Sequence, residues 1–241
     1  MLIGPANMPP STFYIHALNG CLLPPGVVSV HNLDEFSKTI LLYACHTHIF
    51  EWRQAISMLI PNGSANAYGS FSNSIGPGLE ERKGWLLANL KNWHTFHYSP
   101  SLEPAAALLY HLGFVTIEVS LSDLHLAAGR TGNRAEGAVA EQSLRLWANG
   151  ESAGSTMSHV HQGFEITHAA LQSGAMNSSF EIIMSLFTGG LVCWAYSKFH
   201  RAGPHEECIE HVRKAAKTLR ELASWRISSL FGIILNEFES A

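Results

Sequence analysis

His159-Val160-His161-Gln162-Gly163-Phe164-Glu165 is the stretch whose reading decides the fold. Its pattern is H-x-H-x3-E. On a strand, side chains at i and i+2 share a face, so two imidazoles and a carboxylate would converge on one metal ion. On a helix, residues two apart point to opposite sides, because they are separated by about 200°. The helix instead aligns His161, Glu165 and His168 at i, i+4 and i+7, beside an apolar face of Val160, Phe164 and Leu171. The flanks favour a helix from Met157 to Leu171.

As a strand, the segment resembles the first metal motif of the cupins, with Gly154 upstream. A cupin also needs a strand barrel and a second motif ending in a histidine. After residue 165 only Pro204-His205 approaches that motif, and its spacing fails. As a helix, Glu165-x-x-His168 resembles half of a di-iron bundle site, which requires a second Glu-x-x-His. The sequence holds no second copy. His159, His161, Glu165 and His168 are therefore the metal-ligand candidates, for a cupin-like or di-iron-like enzyme. A solvated polar helix face, with no cofactor and no catalysis, is the preferred reading.

The neighbouring segments repeat the helical period. Leu41, Cys45, Ile49, Trp52, Ile56 and Leu59 form one stripe, with Asn32 as the expected cap and Glu35 as its capping-box partner. Residues 61–79 are rich in Ser, Gly and Asn and are expected to form a loop insertion. A helix follows from about Glu80 through Trp93. Further helices are expected over Ala105–Val119, Ala138–Ala148, Phe180–Tyr196 and, as one long element, Glu206–Phe238. Five of the ten prolines fall in residues 1–31, which reads as an irregular N-terminal segment. The expected fold is all-α: a multi-helix regulatory domain with long loops, one helical domain over 32–241.

Composition narrows the function. The chain has 241 residues, 46% hydrophobic and 14% charged, with a formal charge of −4. That is too apolar for intrinsic disorder. It offers no net positive charge for nucleic-acid phosphates. Cys21, Cys45, Cys193 and Cys208 are scattered without a C-x-x-C pair, as in reduced intracellular proteins. Met1–Pro10 does not read as a signal peptide. The most apolar run, Ile182–Tyr196, is short of the roughly 20 residues that cross a bilayer, so it reads as a core helix.

Other clusters are weaker. His46 and His48 point to opposite sides of a helix. His205, Cys208 and His211 lie near a helix start without a fourth ligand. Gly129-Arg130-Thr131-Gly132-Asn133-Arg134 would cradle an anion only at a helix N-terminus, and a surface loop is the preferred reading.

Several apolar blocks carry a family resemblance. They are Leu108-Leu109-Tyr110-His111-Leu112, then Val119-Ser120-Leu121-Ser122-Asp123-Leu124 with Ala127-Ala128-Gly129, and Leu191-Val192-Cys193-Trp194-Ala195-Tyr196. Trp225-Arg226-Ile227 and Phe231-Gly232-Ile233-Ile234-Leu235 follow. In this order they resemble the C-terminal part of the fungal-specific transcription factor regulatory (middle homology) domain, over about residues 33–238. The resemblance implies transcription regulation in the nucleus, with the cytoplasm as alternative. It implies control of metabolic or secondary-metabolite genes through a small-molecule effector, a protein partner or a homodimer. It assigns no catalytic residue and no membrane attachment. The family's zinc DNA-binding module has no counterpart here. The chain then reads as a solitary or truncated regulatory domain that does not bind DNA directly.

Overall fold

The computed structural model describes residues 33–59, 69–99, 102–174, 179–203, 205–222 and 225–238. The expected irregular segment 1–31, the Asn32 cap and Cys21 lie outside them. Among the described residues every regular element is a helix, so the chain is all-α. The elements are α1 Glu35–Leu59, α2 Gly69–His97, α3 Pro104–Glu118, α4 Leu121–Ala127, α5 Arg134–Ala148, α6 Ser152–Gln172, α7 Phe180–Phe199, α8 Glu206–Glu221 and α9 Arg226–Glu237.

Local chemistry sets the starts. The Ser37 amide donates to Asp34 Oδ1 at 2.7 Å, so Asp34 caps α1. Glu35 is the first residue of α1, and its carboxylate meets Lys38 at 2.6 Å; its expected pairing with Asn32 lies outside the described residues. Pro104 occupies the first turn of α3, where its missing N–H costs nothing. Ser120 accepts from the Asp123 amide at 3.2 Å and starts α4. Only Val119 and Ser120 separate α3 from α4, and the two helices bend by 71°.

Three expectations change. The loop near 61–79 is shorter, because α2 begins at Gly69 and runs through Pro77. Composition alone misreads this turn-rich stretch, since context overrides a weak propensity. The connections between α3 and α4 and between α5 and α6 are likewise short. The long helix Glu206–Phe238 is two helices. Leu222 leaves helical geometry at φ −75°, ψ 69° and Trp225 is extended at φ −127°, ψ 120°. Finally, α7 spans 20 residues, longer than its apolar run. It is long and apolar enough to cross a membrane, yet 72% of its apolar window is buried inside the protein.

Burial divides into two clusters. The first joins α1, α2 and one side of α3, through Leu42, Trp52, Leu90, Trp93, Ala106 and Leu109. The second surrounds α7 with the other side of α3, α6, α8 and α9, through Leu108, Val160, Leu191, Val192, Trp194 and Leu219. α3 serves both, so it is apolar all round, as a buried helix must be. Arg53 of α1 closes its C-terminal end. Its Nε donates to the Thr116 carbonyl at 2.9 Å, and a second guanidinium nitrogen donates to the Ile117 carbonyl. A cation there complements the helix dipole. Burial pulls its pKa down to about 10, against the attraction of Asp123 and Glu118.

Candidate functional site

α6 carries the histidines of the deciding stretch, and its two flanks face different neighbours. Val160, Gly163, Thr167 and Ala170 point into the protein. His159 emerges on one side, toward α3. Its ring stacks on Phe114 at 4.2 Å with a 5° interplanar angle. Its Nδ1 lies 2.9 Å from Nδ1 of His111. One ring must donate and the other accept, so a doubly protonated pair is disfavoured. Burial, then His159 and His94, hold His111 down to about 4. Burial also lowers His159.

His111 lines a cavity of about 350 Å³ between α2, α3 and α6. Trp93, Tyr98, Leu102, Tyr110 and Ile166 give apolar walls, and His94, His111 and Gln162 give polar groups. The aromatic wall is continuous. Tyr110 packs on Trp93 at 5.9 Å and on His94 at 4.9 Å, and His94 stacks on Tyr98 at 4.4 Å. Trp93 and Tyr110 belong to the first cluster, whereas Ala170 and Ile166 belong to the second. The cavity therefore sits on the joint between the two cores. A smaller cavity of about 250 Å³ lies on the His159 side, lined by Lys91, Glu118, Ser155 and His159.

His161 leaves α6 on the opposite flank, toward α8. Its ring centre is 4.9 Å from that of His211. Phe164 stacks flat on His211 at 4.7 Å and 5°. The Phe164 ring tip needs Gly189 of α7, where an added Cβ would lie 3.0 Å from it. Glu207, one turn before His211, places Oε1 3.9 Å from the His211 ring nitrogen. The donor atoms of His161, Glu207 and His211 all lie within 4.8 Å of one another. Burial and the neighbouring His161 lower the His211 pKa.

The four sequence candidates therefore part company. His159 and His161 diverge because the segment is helical, which removes the cupin-like constellation. Glu165 is exposed and accepts from Gln162 at 3.1 Å, and His168 is exposed and meets Gln172 at 2.9 Å. Neither joins His161, so the di-iron-like face does not form either. Only His161 enters a grouping of metal-capable donors among the described residues, and its companions are Glu207 and His211. Sequence spacing shows the i, i+4 pair Glu207/His211. It cannot show His161, which reaches them only through tertiary packing. His205 and Cys208 go elsewhere: His205 lies 2.9 Å from His200, and Cys208 is buried beside Cys193.

Comparison with protein-family models, curated proteins and solved structures finds no match for this chain.

The remaining clusters have structural uses. His46 Nε2 sits 2.8 Å from the Leu109 carbonyl and donates to it. His48 meets Glu51 on the outer side at 3.3 Å. The 129–134 loop does precede a helix, but Asn133 Oδ1 takes the Ala135 amide at 3.1 Å and Thr131 donates to Glu136 at 3.1 Å. The chain itself supplies the groups an anion would otherwise replace.

Proposed function

We propose that this chain is a regulatory helical domain in transcription control, and that the α2–α3–α6 cavity takes a small aromatic or apolar effector with one or two polar groups. The observation that carries the proposal is the cavity's position. It has the volume of a small-molecule site, and its walls come from both hydrophobic cores. A ligand there touches both halves, so it can favour one relative packing over another in proportion to its differential affinity. Of the apolar blocks that resemble the fungal regulatory domain, Leu108–Leu112 supplies Tyr110 and His111 to this cavity, and Leu191–Tyr196 builds the second core. On this reading the protein acts in the nucleus, with the cytoplasm as the alternative, and controls metabolic or secondary-metabolite genes. It works with a protein partner or a second copy of itself, without direct DNA contact by this chain and without membrane attachment.

The test has two arms. A panel of small aromatic compounds is screened by tryptophan fluorescence, since Trp93 forms a wall, and by thermal shift. A compound that binds raises the melting temperature, and Tyr110→Ala abolishes that rise. In the second arm the chain is fused to a heterologous DNA-binding module in a fungal reporter strain. Reporter output that changes with the fusion, and with the compound, supports the reading. A fusion without effect on the reporter, together with no compound that binds, overturns it.

A further inference from the structure

We propose that His161, Glu207 and His211 form a binding site for one divalent ion of the zinc class, linking α6 to α8. The site is independent of the effector cavity and lies on the other flank of α6.

Four observations converge. The three donor atoms lie within 4.8 Å of one another. His161 Nε2 is buried and has no hydrogen-bond partner among the described residues. A buried polar atom left unpaired is costly, and coordination to a cation satisfies it. His211 has its ring plane fixed by the flat contact with Phe164, so its nitrogen is aimed rather than free to swing. Glu207 and His211 are one helical turn apart, the spacing at which two side chains on a helix reach one point.

The donor set suits the ion. Two imidazoles and one carboxylate are the ligands of many zinc sites with a fourth position left to water. Tetrahedral coordination at about 2.0–2.1 Å brings donors to roughly 3.3 Å apart. Here the donors must close in. Glu207 supplies most of that movement, because its side chain is 73% exposed while that of His211 is 23% exposed. The water-bearing position then faces solvent on the Glu207 side. α6 and α8 each pack on α7, so an ion held by both joins two helices across a third.

The test uses the full chain, stripped with a chelator and titrated with Zn2+ by calorimetry. One ion per chain is expected, with His161→Ala and His211→Ala each weakening binding by at least tenfold and Glu207→Gln weakening it measurably. Co2+ substitution should give the intense visible bands of a four-coordinate site, lost in His211→Ala. His168→Ala and His205→Ala should bind Zn2+ as the unaltered chain does. Affinity unchanged in His211→Ala overturns the proposal, and so does binding that falls in His205→Ala instead. Far-UV circular dichroism checks folding of each variant. If the histidine variants do not fold, Glu207→Gln at its exposed position decides: weakened binding supports the site, and unchanged affinity overturns it.

Discussion

Trp194 is a core residue in both sequence and structure. In the sequence it sits in an apolar run and is expected in the core. In the structure it is 5% exposed, with its ring 4.5 Å from Phe238 and 6.1 Å from Phe199. Its indole N–H is buried without a hydrogen-bond partner among the described residues. Trp194→Ala is expected to destabilise by about 3–5 kcal/mol, the range for emptying a large core site. Trp194→Phe keeps most of the packing and removes an unpaired donor, so it should cost less than about 1.5 kcal/mol. Urea unfolding of both variants checks the pair. A loss below about 1 kcal/mol in Trp194→Ala would place the ring at the surface. The burial of Trp194 was legible because bulk and apolarity act locally. The meeting of His161 with His211 was not, because the 49 residues between them carry no spacing rule.

At the level of the element, helical period identified where helices run better than where they stop. α8 and α9 are the clearest case. Leu219, Leu222 and Trp225 continue one stripe, and neither Gly nor Pro interrupts residues 206–230. Nothing local signals the break; the packing of α9 back against α8 makes it. Ser228 donates its hydroxyl to the Leu219 carbonyl, and a Cβ on Gly232 would lie 2.8 Å from the Ala216 carbonyl oxygen. Gly232→Ala sets two effects against each other. Alanine gains up to about 1 kcal/mol of helix propensity. Forcing a backbone oxygen aside costs about 1–3 kcal/mol. The clash should win, because main chain cannot rotate away as a side-chain tip can. Gly84 in α2 is exposed, and nothing lies within 4 Å of its added Cβ. Gly84→Ala should therefore stabilise by about 0.5–1 kcal/mol. Opposite shifts in melting temperature are the expected result, and a rise in both would argue against close contact between α8 and α9.

For the whole molecule, the notable quantity is fourteen histidines in a chain with little other charge. Several are held neutral by burial. His46, His111, His125 and His159 are all pushed below the ordinary imidazole value, with His111 down to about 4. The unfolded chain binds more protons than the native one between that value and about 6.5, so stability rises with pH across this window and falls on acidification. His111 alone accounts for about 3 kcal/mol by pKa difference, to order of magnitude. Denaturant unfolding at pH 7, 5.5 and 4.5 should show a steady loss, and His111→Phe should flatten part of it. A stability independent of pH over this range would mean that these rings are solvated. Fold class was legible at this scale, since periodicity is repeated in every segment. The division into two cores was not. Ala106, Leu109 and Ile117 of α3 serve one cluster and Leu108 and Val115 the other, and the sequence shows only an undifferentiated apolar run.

That shared helix has a consequence for how the protein is made. The partners for one side of α3, in α1 and α2, are synthesised before it. Those for the other side, in α6 and α7, are completed only at Phe199, 81 residues after Glu118. At translation speeds of about 5–20 residues per second, that side waits roughly 4–16 s. During this interval Leu108, Val115 and Val119 lack their full native cover, and the nascent chain is open to chaperone capture or to aggregation. Slowing elongation between codons 118 and 199 should lower the soluble yield, whereas slowing it before codon 104 should not.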